Sequence, residues 1–235
     1  MNNKPEFPIC EECKKNISSI FKKLTIDQMS ELSFEKGCSF YKRGDIIYHE
    51  GNRPSGSYCV SKGIVKLFKT GVEGKEQIIK FAKKGDVIGY RSVLSGELSC
   101  TTAKVIEDAT LCFIPSTTLM GFIKTNSDFS LELMQIACNE LGVANNFITG
   151  IAQKTVRERL AEILIYLKKE FGADENGVLQ ISLTREEYAN IVGTATESVI
   201  RLLSEFKDDK YIEIEGRKIK ILQEAKLKKL GNVFD

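Results

Sequence analysis

Glu197 and Arg201 stand four residues apart in LTREEYANIVGTATESVIRLLSEF, the stretch from Leu183 to Phe206. On a helix that spacing is about one turn, so a carboxylate acceptor and a forked guanidinium donor share one face. Two kinds of chemistry fit the pair. The two groups can close on each other as a surface ion pair worth roughly 0.2–0.5 kcal/mol. They can instead stay apart and meet the hydrogen-bonding edge of a flat partner, the guanidinium donating twice. A second set of reactive groups is the seven cysteines, of which Cys10 and Cys13 form a C-x-x-C. Alone, that is half of a metal-binding pattern. The single histidine, His49, lies in a strand–turn pattern that suits a structural role better than a ligand's.

The local sequence says how the Glu–Arg pair is held. Thr184 followed by Glu187 has the spacing of a capping box, which starts a helix. Tyr188, Ile191 and Val192 then face inward, and Gly193 suits a left-handed helix end. Ala195 or Thr196 begins a second helix with Val199, Leu202, Leu203 and Phe206 on its buried side. Residues 211–222, YIEIEGRKIKIL, read as a compact hairpin around Gly216–Arg217. Helix, turn, helix and hairpin make a winged helix-turn-helix, whose second helix enters a DNA major groove by its N-terminal end. Glu can accept from cytosine N4, and Arg can bond guanine O6 and N7. At those positions of a complete motif, base reading is the stronger of the two readings of Glu197 and Arg201.

Upstream the period of the sequence changes twice. Residues 14–35 read as helical around Ile20, Leu24, Met29 and Leu32. From Cys38, short β-rich pieces are punctuated by nine of the 18 glycines, which predicts a small sandwich, barrel or jelly roll. GVEGKEQ, with Gly71 and Gly74, reads as a hairpin connection. After Pro115 the strand signals stop, and Ser127 or Asp128 is placed to cap a long helix. Along it Met134, Ala137, Leu141, Ala144, Ile148 and Ile151 recur at spacings of 3 and 4, an a/d seam. Such a stripe can pack on the chain's own β domain or on a second copy. Its narrowness favours the second copy. A further helix, Val156 to Phe171, leads towards the winged motif, and a basic helical tail, EAKLKKLG, follows the hairpin. The predicted fold is α+β with three parts: a sensor domain over 1–126, a dimerisation helix over 127–153 and a DNA-binding domain over 154–235.

Composition narrows the function classes. With 42% hydrophobic and 28% charged residues the chain reads as an ordinary soluble protein. No apolar run approaches the roughly 18–20 residues that span a bilayer, and the polar start is unlike a secretory signal, so a cytoplasmic location is expected. An odd number of cysteines there argues against a disulfide framework. The net charge is +2, and residues 154–235 hold 15 basic and 15 acidic side chains, so any positive face must be arranged locally. Walker, G-x-S-x-G and H-E-x-x-H patterns are absent, and no enzyme is expected.

Over almost its full length the chain resembles the CRP/FNR family of bacterial transcription regulators. The features that carry the resemblance are KRGDIIYHEGNRPSGSYCVSKGIVKLF with KKGDVIGY, the long helix, KTVRERLAEILIYL and the Leu183–Phe206 stretch. The resemblance implies a cyclic-nucleotide-binding-like β-roll and a homodimer on palindromic DNA, with RNA polymerase as a partner and no membrane. It assigns Glu197 and Arg201 to base reading, Thr184 and Arg185 to the DNA backbone, and Ser198 to phosphate. Thr196 stands where the cyclic-AMP receptor branch has Arg, and Ile200 where the FNR branch has Ser, so the half-site should match neither branch.

The resemblance also bears on cofactors. Cyclic-AMP binders place Glu after a Gly and follow with an Arg-Ser or Arg-Thr pair; here Tyr90 follows Gly89 and Ser99–Cys100 stands at the pair. Cyclic AMP is disfavoured, and Arg91 is read as exposed or structural. In the FNR branch three N-terminal cysteines and one from the roll hold an iron–sulfur cluster. Cys10, Cys13 and Cys112 match three of the four, Ser19 stands where another is expected, and Cys38 is the candidate to complete the set. Reduced, packed cysteines are the other reading, and Cys59, Cys100 and Cys138 are assigned to packing. The main expectation is a regulator whose sensor domain places two recognition helices. The alternative is an iron–sulfur or thiol redox switch with DNA binding secondary.

Overall fold

Residues 20–233 are described by the computed structural model, and the change of period at Cys38 is where helix gives way to sheet. The described chain forms two units: one takes residues up to Lys69 and Ile78–Gly142, the other Thr70–Gln77 and Val143 onward.

In the first unit a 3-10 turn, Ile20–Lys23, precedes helix α1, Ile26–Glu35. Thr25 interrupts them because its side chain caps α1, with Gln28 completing a capping box. Six strands follow: β1 Gly37–Tyr41, β2 Ile46–Tyr48, β3 Gly56–Thr70, β4 Glu76–Ala82, β5 Val87–Ile88 and β6 Thr102–Pro115. They form one sheet in the order β1-β6-β3-β4, with β2 also on β6 and β5 on β3. β6 is the centre, antiparallel to β1, β2 and β3. Its alternation divides the core. Ala103, Val105, Ala109 and Leu111 join Val60 and Val65 in one cluster, whereas Cys112 and Ile114 join the helices through Phe122, Phe129 and Leu133. The β3–β6 register shifts around Ile64. Gly63 sits there at φ +85°, where an added Cβ would lie 2.4 Å from Asp108 O, so this bulge requires glycine.

Helix α2, Tyr90–Ser95, follows β5 directly; α3, Ser116–Thr125, and α4, Ser127–Gln153, follow β6. The cap of α4 differs from the expected one. Asn126 Oδ1 accepts from Phe129 N at 2.9 Å, and Ser127 and Asp128 are already in the first turn. Asn126 ends α3 and starts α4 at once, a double duty that hydropathy does not display.

The second unit contains α5 Val156–Phe171, α6 Arg185–Val192, α7 Thr196–Asp208, β7 Ile212–Glu215, β8 Lys218–Ile221 and α8 Glu224–Leu230. Thr155 opens α5 through a capping box with Glu158. Leu160 and Leu164 of α5, Tyr188 of α6, Phe206 of α7 and Leu227 of α8 are fully buried together with Ile212 and Ile219 of the hairpin. The amphipathic spacing of each helix therefore turns one stripe into a common core. Among the described residues no helix is long and apolar enough to cross a membrane.

Candidate nucleic-acid interface

Thr184 and Gly193 define the first helix of the motif. Thr184 Oγ1 accepts from Glu187 N at 3.1 Å, while Glu187 Oε2 accepts from Thr184 N at 2.7 Å. Gly193 takes φ +73° and its N–H bonds to Ala189 O. A residue outside the motif, 33 positions upstream of Val192, fixes this turn. Arg159 of α5 donates from Nε to Val192 O at 3.0 Å and from Nη2 to Gly193 O at 3.3 Å. A cation on the last carbonyls of α6 satisfies acceptors that the helix leaves open.

Helix α7 starts at Thr196, with Ala195 as a cap that has no side-chain bond. Val199, Leu202, Leu203 and Phe206 face the core as the spacing predicts, leaving Glu197, Ile200 and Arg201 exposed. Thr196 and Ser198 are half-buried. Arg201 closes on a carboxylate, but not on Glu197: its Nη1 lies 2.6 Å from Glu205 Oε1. The other oxygen of Glu205 accepts from Arg157 Nη1, also at 2.6 Å, and Arg157 Nη2 reaches Asp209 at 2.9 Å. Arg157 further stacks over the Phe206 ring at 5.0 Å. Glu205 is thus anchored from α5. The second i, i+4 pair, Arg201–Glu205, was as visible in the sequence as Glu197–Arg201.

The backbone-contact candidates have unequal positions. Thr184 is half-buried and its hydroxyl is used by the cap. Arg185 donates from Nη2 to Gly216 O at 3.0 Å, in the turn between β7 and β8, where Arg217 and Lys218 are exposed. Cations from α6 and the hairpin tip therefore gather although the domain's total charge is balanced.

The seam residues of α4 fall on two sides of its exposure. Met134, Leu141 and Ile148 are 58%, 62% and 65% exposed, and Ile151 is exposed too, while Ala137 and Ala144 are half-buried. Phe129 and Leu133, off the seam, are the side chains that α4 buries in its own domain. Helix α4 is also held to the sheet by Glu140. That carboxylate accepts from Lys80 Nζ and from Tyr90 OH, each at 2.8 Å. Burial first, and then the Glu140 charge, push the Tyr90 phenol above its ordinary range, so it remains a donor.

Of the proposed cluster ligands, Cys10 and Cys13 lie outside the described residues. Cys38 and Cys112 come together as direct cross-strand partners with their sulfur atoms in bonding contact. Two bonded sulfurs are not thiolate ligands, and among the described residues no group of three or more His, Cys, Asp or Glu could hold a metal ion. The described residues therefore do not by themselves fit a four-thiolate cluster.

Residues 39–126 match the cyclic nucleotide-binding domain family, and residues 158–230 match the Crp-like helix-turn-helix domain family. The chain is 24% identical over 231 residues to the fumarate and nitrate reduction regulatory protein of Vibrio cholerae, spanning 95% of this chain and 90% of that one. It is 28% identical over 183 residues to the transcriptional activator FnrA of Stutzerimonas stutzeri, spanning 77% and 75%. The chain belongs to the CRP/FNR family. It is a DNA-binding transcription regulator. The fold agrees: the structure of FixK2 from Bradyrhizobium japonicum superposes with a TM-score of 0.77 at 23% identity, covering 85% of this chain and 99% of that chain. Within this CRP/FNR chain the turn after Gly89 presents no carboxylate. Tyr90 follows, 2% exposed and bonded to Glu140, while Arg91 is exposed and Ser99 buried.

Proposed function

We propose that the protein acts as a homodimer on a palindromic DNA site, reading each half-site with Glu197 and Arg201 of one protomer. The observation that carries the reading is the pairing of an exposed reading face on α7 with an exposed apolar seam on α4. Met134, Leu141, Ile148 and Ile151 would meet their copies across a two-fold axis, and Ala137 and Ala144 would allow close approach of the backbones. Two recognition helices held that way meet half-sites about 34 Å apart. Thr184, Arg185, Thr196 and Ser198, all half-buried, would contact the sugar–phosphate backbone with the exposed Arg217 and Lys218.

Residues 1–126 act as sensor, 127–153 as dimerisation helix and 154–235 as reader. The link from sensor to helix is the Lys80–Glu140–Tyr90 network, through which a shift of the sheet would move α4. An effector that binds the DNA-competent state better than the other would shift the population towards it. With Tyr90 in place of a carboxylate and no Arg-Ser pair, that effector is something other than cyclic AMP. The protein works in the cytoplasm, with RNA polymerase as its partner on DNA.

Sedimentation of the full chain, followed by selection of bound duplexes from a random library, tests the reading. A dimer that enriches an inverted repeat spaced by one DNA turn is expected. A monomer at micromolar concentration, or enrichment of a single unrepeated site, would sink it.

A further inference from the structure

Three cysteines lie in one row across the sheet. Cys38 on β1 is the register partner of Cys112 on β6, and Cys112 is in turn the partner of Cys59 on β3. Opposed residues on neighbouring strands point to the same face. All three accordingly belong to a single apolar cluster, the one that also holds Ile114, Phe129 and Leu133. The row is graded in exposure: Cys112 and Cys59 are 4% and 3% exposed, and Cys38, at the β1 end, is half-buried. Cys38 and Cys112 have Cα atoms 4.1 Å apart, the close spacing of a non-hydrogen-bonded antiparallel pair, and their sulfurs touch.

We infer that Cys38 and Cys112 form a reversible dithiol–disulfide site whose oxidant is a low-molecular-weight disulfide. The inference rests in one respect on the proposed function. A DNA-binding regulator works where thiols are kept reduced, and a bond formed there between two cysteines is usually transient and redox-sensing rather than structural. Cys38 is the entry point because it is the most accessible of the row. Its thiolate attacks one sulfur of the small disulfide and displaces one small thiolate, leaving a mixed disulfide on Cys38. The Cys112 thiolate then attacks the Cys38 sulfur and displaces the second small thiolate. The two cysteines lose two electrons and two protons, and the small disulfide is reduced to two thiols. A small dithiol reverses the sequence.

The bond has a defined place in the architecture. Cys112 lies three residues before the end of β6, which leads directly into α3 and then α4. Oxidation therefore ties the strand that feeds α4 to β1, across a separation of 74 residues. While the bond exists, neither sulfur is available as a thiolate to a metal.

The test equilibrates the full chain in glutathione buffers of graded redox ratio. Each sample is quenched in acid, alkylated, digested and read by mass spectrometry. A linked peptide pair joining Cys38 to Cys112 is expected in oxidising buffer, lost on adding dithiothreitol, and unchanged in Cys59→Ser. Alkylation of both cysteines in the most oxidising buffer would overturn the inference. So would glutathione carried on Cys38 without a link to Cys112, or a link that dithiothreitol fails to open. DNA binding measured on the same samples separates this from the proposed function: no binding in any buffer removes the regulator reading and leaves the linked pair to be judged alone.

Discussion

Arg201 and Glu205 lie one turn apart on α7, and the arginine Nη1 is 2.6 Å from the glutamate Oε1. The Arg201 side chain is 67% exposed, so this bond is worth only a few tenths of a kcal/mol. A bidentate bond to guanine is worth about 1–3 kcal/mol of discrimination. On the proposed reading the stronger contact would win, and Arg201 would leave Glu205 when a base is offered. Arg201→Ala should weaken the specific complex by about 1–3 kcal/mol and flatten the preference at one base pair. Arg201→Lys should not restore it, because an ammonium lacks the fork. Competition titrations against single-base variants of the selected site, at fixed salt, measure both.

Arg185 should behave differently. It stands at the start of α6, held by Gly216 O, and on the proposed reading it would meet phosphate rather than a base. Arg185→Ala should weaken binding about equally on all sequences and reduce the slope of log affinity against log salt by about 1. A change confined to one base pair would contradict this.

Thr184→Ala separates folding from binding. The hydroxyl accepts from Glu187 N, and losing such a cap costs roughly 1 kcal/mol of stability. Denaturant midpoints should fall accordingly, while base preference stays as in the wild type.

Leu141→Glu, at a seam position that is 62% exposed, should leave the protomer folded and break the dimer. Burying a leucine gives about 1.5–3 kcal/mol, and a two-fold interface counts it twice. Sedimentation should show a dissociation constant raised by at least about a hundredfold. A variant that still sediments as a dimer would place the interface elsewhere.

Glu224 offers a pH signature. Its Oε2 accepts from Lys168 Nζ at 2.6 Å, and this bond, with the nearby charges of Lys168 and Lys228, holds the carboxyl below the usual range. The folded state then binds the proton less readily than the unfolded one. The stabilisation is fully present above the ordinary carboxylate value of about 4.3 and is lost as pH falls through the folded value. Glu224→Gln should accordingly be less stable than the wild type near neutrality, with the difference shrinking in acid. Urea midpoints of the two proteins across that range check it.

What was legible in the sequence is what depends on neighbours along the chain. The Thr184–Glu187 box, the turn at Gly193 and the buried stripe of α7 are short-range patterns, and each has the expected place. The apolar seam of α4, equally short-range, is exposed at Met134, Leu141, Ile148 and Ile151, while Ala137 packs against the core of its own unit. The rest depends on register and on partners far away in sequence. Cys59 reads as ordinary packing until β3 is laid on β6 and puts it opposite Cys112. Arg159 looks like a surface cation on α5, yet it closes the turn of the next helix. Glu205 is as well spaced as Glu197 for Arg201, and Arg157, 48 residues upstream, is what holds it. Asn126 joins two helices because both ends meet at one residue, a geometry that no periodicity reports.

Gly216 is at the tip of a hairpin whose rungs run from Ile212↔Ile221 to Glu215↔Lys218, and its carbonyl is where Arg185 finds its bond. Each strand residue moves a hairpin tip by about 3.3 Å. A single insertion or deletion there would carry the carbonyl out of reach and turn buried Ile219 towards water. The length of the hairpin thus works as a ruler for an arginine 31 residues away in sequence. A longer wing would leave Arg185 to find its bond at another turn.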